Sequence, residues 1–160
     1  MEIVFITTGG TIDKVYFDAK SSYEIGEPQI PKILEKINAA FEHQIIALLR
    51  KDSLEMTDAD RQLIRDTVAR QDSRYIVITH GTDTMVDTAK ALADIEDKVI
   101  VLTGALNPAR FADSDAVFNI GCAIGAVQRK TPGVFIAMNG RVWHPEEVRK
   151  NRNANRFEAL

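Results

Sequence analysis

Residues 74–103 read RYIVITHGTDTMVDTAKALADIEDKVIVLT, and this stretch decides the fold. Two short runs rich in Ile and Val, at 74–79 and 98–103, enclose a segment with helical spacing at 83–94. Runs that are apolar almost throughout suit strands buried on both faces rather than strands that alternate between core and water. The same kind of run recurs at 2–7 (EIVFIT), 44–49 (QIIALL) and 133–138 (GVFIAM), and further helical spacing at 31–40, 58–71 and 113–128. Pro31 suits a first helical turn and Thr57 a helix cap. Buried strands alternating with amphipathic helices imply parallel pairing, because parallel neighbours need a long crossover and helices supply it. The expected architecture is therefore a single α/β domain. It is doubly wound, with a mostly parallel five-stranded sheet, helices on both faces and a flavodoxin-like or Rossmann-like layout. Its strand order is taken as 2-1-3-4-5, the commonest five-strand solution. That order sets the first and third strands on either side of the reversal, and a ligand crevice is expected at their carboxyl ends.

Outward from that core, the chain has 160 residues, 45% hydrophobic and 27% charged, the composition of an ordinary globular domain. The domain is expected over 1–150, with 151–160 (NRNANRFEAL) as a polar, uncommitted tail. Twenty Lys and Arg against 23 Asp and Glu leave a formal charge of −3, without the basic field that drives binding to nucleic acid or anionic lipid. No apolar stretch approaches the roughly 18 residues of a membrane helix. The lone Cys122 lies in an apolar run and reads as a packed thiol. A cytoplasmic protein with neither nucleic-acid nor membrane partners is expected.

The first strand ends in TTGGTID, residues 7–13, where Gly9 and Gly10 let a ligand approach the backbone between threonine hydroxyls. Taken alone this is a tight turn or a weak anion cradle, since it lacks the lysine of a P-loop and the spacing of a dinucleotide fingerprint. The third strand ends in THGTDTM, residues 79–85, and runs into a helix expected to begin near Asp83. A helix start there would direct amides towards a carboxylate or an oxyanion, and Asp83 would suit a cap. His80 reads as a packed strand-end residue outside the chemistry.

Together, TTGGTID and THGTDTM resemble the two signature segments of the bacterial-type L-asparaginase/glutaminase family. The resemblance implies Thr11 as nucleophile and Thr82 with Asp83 as two members of a Thr-Lys-Asp triad. Residues 137–150 (AMNGRVWHPEEVRK) resemble the segment that supplies the lysine, which falls on Lys150. Residues 21–23 (SSY) resemble the mobile loop whose tyrosine neighbours the nucleophile, giving Tyr23. Ser53, in the run 51–53 (KDS), matches a substrate-carboxylate binder, and residues 101–112 parallel the family's fourth-strand loop. Gly10, Ser53, Gly81, Thr82 and Asp83 are the implied substrate-binding residues. The implied reaction is hydrolysis of L-asparagine, with L-glutamine as second substrate, without metal or cofactor.

The chain departs from the family pattern in two ways. Leu54 stands where a glutamine commonly contacts the substrate's α-amino group, leaving Glu24 or Glu55 as substitutes. Family members also carry a C-terminal domain that lends an acidic residue to a neighbouring subunit. Here a homodimer is expected in which the 151–160 tail, with Phe157 and Leu160, brings Glu158 to its neighbour. A threonine hydroxyl needs an acceptor for its proton, a task that falls to Tyr23 or Lys150, while amides of the glycine-bearing loops stabilise the oxyanion. A non-catalytic binder of aspartate or asparagine is the alternative reading, and a flavodoxin-like nucleotide module a third.

Overall fold

The computed structural model describes residues 1–20 and 22–160. In chain order it forms β1 (Glu2–Gly9), β2 (Lys14–Phe17), β3 (Ser22–Ile25), α1 (Ile30–Lys36), β4 (Glu42–Lys51), α2 (Asp58–Ala69) and β5 (Tyr75–Thr79). There follow α3 (Met85–Ala91), β6 (Val99–Thr103), α4 (Ala116–Arg129), β7 (Gly133–Met138), β8 (Arg141–Trp143), β9 (Val148–Asn151) and β10 (Arg156–Ala159).

The central sheet has the order β4-β1-β5-β6-β7-β8, parallel except at β8. Its first five members reproduce the expected 2-1-3-4-5 order. The expectation of five strands is corrected to six, because the chain turns back at Asn139 (φ 54°) and Gly140 (φ 75°) and adds β8 as an antiparallel edge. Two consecutive residues with positive φ make the tight turn whose twist matches a hairpin, and Asn-Gly is its favoured pair.

Side chains of the buried strands alternate between the two faces, and each face has its own helices. Ile3, Phe5, Val77, Val99 and Val101 pack with Ile30, Ile33 and Leu34 of α1 and Ile120, Ala123 and Val127 of α4. Val4, Ile6, Ile76, Ile78, Ile100 and Leu102 pack with Ile64 and Val68 of α2 and Met85 and Ala89 of α3. Thr57 caps α2 by accepting from Asp60 N, and Asp60 returns the bond to Thr57 N, a reciprocal box that fixes the helix start. Helix α3 starts at Met85, later than expected. Cys122 is partly buried against the α1/α4 core. None of the described helices is long and apolar enough to cross a membrane.

Two hairpins stand outside the sheet. β2 and β3 pair antiparallel, as do β9 and β10. The second corrects the expectation of a detached tail. Residues 151–160 return along β9, Phe157 is buried beside Trp143 and Val148 in the α2/α3 core, and Phe157 N donates to Asn139 Oδ1 at 2.7 Å. Burial of one aromatic ring, about 2 kcal/mol, is what commits this polar segment to the fold.

Candidate active site

At the carboxyl ends of β1 and β5 the two glycine loops touch backbone to backbone. A Cβ on Gly10 (φ 85°) would lie 2.5 Å from Gly81 Cα, and one on Gly81 would lie 2.7 Å from Ser53 Cβ. Only glycine permits this approach, which draws the ends of β1, β4 and β5 into one corner. Gly10 N donates to Lys51 O at 3.0 Å, closing the same corner from β4.

The threonines divide into two groups. Thr7 pairs in register with Thr79, and Thr79 with Thr103, as a buried row across the strand ends. Thr8 Oγ1 donates to Thr79 O (2.8 Å) and Thr103 Oγ1 to Ala137 O (2.8 Å), so these residues join strands. Thr11 and Thr82 instead line a pocket of about 70 Å³ together with Gly10, Lys14, Asp52, Ser53, Gly81, Asp83, Leu106, Lys150 and Asn155.

Lys150 reaches this pocket from β9. Its Nζ donates to Thr82 Oγ1 and to Asp83 Oδ1, each at 2.7 Å, and Arg152 Nε lies 3.4 Å from the same carboxylate oxygen. Asp83 is thus an ion-pair partner of Lys150, and Thr84 occupies the cap position of α3. With its oxygen accepting from Lys150, the Thr82 hydroxyl keeps its own proton for donation. Ser53 is buried and held by two bonds, Thr84 N to Ser53 Oγ (3.2 Å) and Thr84 Oγ1 to Ser53 O (2.7 Å), leaving the Ser53 hydroxyl proton for a ligand.

His80 underpins this loop without entering the pocket. Its Nδ1 lies 2.6 Å from Gly81 O, which can only accept, so Nδ1 carries the proton and Nε2 accepts from Thr88 Oγ1 at 2.8 Å. Thr88 Oγ1 in turn accepts from Arg61 Nε at 3.0 Å. Burial pushes the His80 imidazole down to about 4, so it is neutral at pH 7. Asp13, two residues beyond Thr11, is also buried; its Oδ1 accepts from Gln29 N at 2.9 Å. Burial lifts its carboxyl to about 6, against the opposing pull of that bond, Arg110 and Arg50.

The structure therefore brings Gly10, Thr11, Ser53, Gly81, Thr82, Asp83 and Lys150 to one pocket. Tyr23 is not among them. It is 53% exposed on β3, its ring 5.1 Å from Tyr16 and 6.3 Å from Phe111. It lines a neighbouring depression with Glu24 and Glu55 that shares Lys14 and Asp52 with the pocket. Ser21 lies outside the described residues. Leu54 points to solvent, 59% exposed. Glu158 is bonded within its own hairpin by Arg149 Nη2 (2.9 Å) and Asn151 Nδ2 (3.0 Å), with Arg156 Nε 3.5 Å away. The Gly10 amide, engaged by Lys51 O, is likewise not a free oxyanion donor.

Sequence reasoning passed over Lys14, Asp52, Leu106 and Asn155. Asp52 was detectable as the neighbour of Ser53 and Lys14 as the third residue after Thr11. Asn155 had no local signal, because only the return of β10 brings it to the pocket.

A family model described as "Asparaginase, N-terminal" matches residues 2–160. A glutaminase-asparaginase of Acinetobacter glutaminasificans is 28% identical over 94% of this chain and 50% of its own length. The solved thermostable L-asparaginase from Thermococcus kodakarensis superposes with a TM-score of 0.86 at 25% identity, covering 100% of this chain and 51% of that one. A probable cytoplasmic L-asparaginase from Campylobacter jejuni gives 0.81 at 27% identity, over 99% and 52%. The chain spans about half the length of the relatives it matches.

Proposed function

The chain belongs to the asparaginase family, and on that premise we propose that it hydrolyses the side-chain amide of L-asparagine to L-aspartate and ammonia, with L-glutamine as the second candidate substrate. The observation that carries this reading is the meeting, at one pocket, of Thr11 with a Thr82 hydroxyl bonded to Lys150 at 2.7 Å. Two unlinked hydroxyls would be ordinary strand-end residues; a hydroxyl coupled to an amine is a proton relay.

In the proposed reaction Thr11 Oγ1 attacks the amide carbon and forms a tetrahedral oxyanion, and the C–N bond then breaks. The nitrogen leaves as ammonia with the proton it needs, and the aspartyl ester left on Thr11 is hydrolysed by water, regenerating the hydroxyl. Asp83 holds Lys150 in place, and the proton lost by Thr11 passes through Thr82 and Lys150 to the leaving nitrogen. Stabilisation of the oxyanion falls to amides of the loops after β1 and β5 other than Gly10, at about 3–4 kcal/mol for a well-placed donor. Tyr23 is kept in the proposal as a neighbour of the nucleophile, supported by Lys14 and Asp52, which line both its depression and the pocket.

A homodimer remains part of the proposal, supported by the prevalence of two-fold closure and not by the 151–160 segment. A cytoplasmic setting is supported by the partly buried thiol of Cys122 and by the name of the Campylobacter relative.

The test is ammonia release from asparagine and glutamine by the parent, Thr11→Val and Thr82→Val, with circular dichroism on each. Release by the parent, absent in both folded variants, is expected. A parent that binds aspartate without releasing ammonia from either amide supports the non-catalytic alternative instead.

A further inference from the structure

The pocket contains two ion pairs of different character. Lys150 and Asp83 are in direct contact at 2.7 Å and are committed to Thr82 and Arg152. Lys14 Nζ and Asp52 Oδ2 are 3.8 Å apart, outside hydrogen-bond range, with side chains 28% and 38% exposed. Both belong to the lining of the pocket that holds Thr11, Thr82 and Ser53.

We propose that Lys14 and Asp52 read the two charges of a zwitterionic amino-acid substrate, Asp52 taking the α-ammonium and Lys14, together with the Ser53 hydroxyl, the α-carboxylate. The proposal rests on the amidohydrolase reading of the same pocket and deepens it by assigning specificity.

The backbone holds both groups at the pocket mouth. Lys14 follows the short helical turn at Thr11–Asp13, and its N–H donates to Thr11 O, so its position is tied to that of the nucleophile. Asp52 caps the next turn, with Oδ1 accepting from Leu54 N at 2.9 Å, which orients the carboxylate while Oδ2 faces Lys14. The bond from Gly10 N to Lys51 O joins the two segments.

Of the carboxylates, Asp52 and Asp83 line the pocket itself, whereas Glu24 and Glu55 line only the neighbouring depression; Asp83 Oδ1 is engaged by Lys150 and Arg152, and Asp52 Oδ2 has only the loose contact with Lys14. A loose, partly exposed ion pair is worth little to the fold, so separating it around a ligand costs little. In exchange, each member gains a charge-assisted hydrogen bond to a group of opposite sign. A ligand lacking either charge leaves one member unmatched.

Calorimetric binding separates specificity from turnover. L-aspartate, succinate (no ammonium) and β-alanine (no α-carboxylate) are titrated into the full chain, Asp52→Asn and Lys14→Gln at pH 7. The parent is expected to bind aspartate most tightly. Asp52→Asn should weaken aspartate about tenfold or more and leave succinate unchanged or tighter; Lys14→Gln should weaken aspartate and succinate and leave β-alanine unchanged. Both side chains are partly exposed, so neither variant removes a core contact, and circular dichroism checks this. Aspartate affinity within twofold of the parent in both variants overturns the proposal, as does equal binding of aspartate and succinate by the parent, or no binding of any. Retention of the expected pattern without ammonia release would refute hydrolysis and leave the assignment of Lys14 and Asp52 standing.

Discussion

The two hairpins beside the pocket are built in opposite ways. The β9–β10 hairpin is stitched to the body of the protein at both ends. Val148 and Phe157 are 2% exposed in the α2/α3 core, Lys150 is bonded to Thr82 and Asp83, and Leu160 N donates to Glu147 O. The β2–β3 hairpin has Tyr16, Phe17 and Tyr23 each more than 40% exposed. At its base it is held by Asp13, through Gly26 N to Asp13 O (2.8 Å) and Gln29 N to Asp13 Oδ1 (2.9 Å). The proposed proton path requires its groups to be held in place, and Lys150 is presented by the anchored hairpin. Tyr23, proposed as a neighbour of the nucleophile, is presented by the more exposed hairpin.

This contrast is broken most severely at Lys150. Lys150→Met is expected to lower kcat by about a thousandfold or more with KM changed far less, the pattern of a group used in the transition state. Steady-state ammonia release checks it, and an effect confined to KM would move Lys150 into binding. Next comes the anchor itself. Phe157→Ala should cost about 3–5 kcal/mol in urea unfolding, against less than about 1 kcal/mol for Tyr16→Ala on the loose hairpin.

The base of the loose hairpin should respond to pH. The Asp13 carboxyl titrates at about 6 when folded and near 3.8 unfolded, so between these values the native state holds a proton that the unfolded chain has released. Its contribution is therefore lost as pH rises through that window. Asp13→Asn keeps an acceptor for Gln29 N and should be more stable than the parent by roughly 1–3 kcal/mol at pH 8, with the difference vanishing near pH 4. His80 acts with the opposite sign, since its depressed value makes acidification from 6.5 towards 4 destabilising. Unfolding of parent and Asp13→Asn at several pH values separates the two. The smallest effect belongs to Tyr23→Phe, expected to lower kcat about tenfold and to leave unfolding unchanged within about 0.5 kcal/mol.

The parts of this molecule legible in its sequence are those in which each residue's environment is set by its neighbours in the chain. The five apolar runs announced their strands, and Thr57 its helix. Ser53, Thr11, Thr82 and Lys150 were legible through resemblance, because their segments carry distinctive residues at strand ends. The dipeptide Asn139-Gly140 was a legible hairpin signal that the strand count overlooked, and β8 follows from it. The β9–β10 hairpin was hidden for a different reason. Its residues are mostly polar, only Val148 and Phe157 commit it to the core, and the positive φ at Asn155 (49°) that turns it is invisible without the backbone. Lys14 and Asp52 were hidden as ordinary charges, and what brings their two segments to one pocket is the bond from Gly10 N to Lys51 O.

The central claim is that Thr11 attacks and Thr82 relays. Protein quenched during turnover of asparagine, digested and examined by mass spectrometry, distinguishes the two threonines directly. The expected result is an aspartyl ester on the peptide containing Thr11, absent in Thr11→Val and depleted in Lys150→Met. An ester on Thr82, or continued ammonia release by folded Thr11→Val, would contradict it.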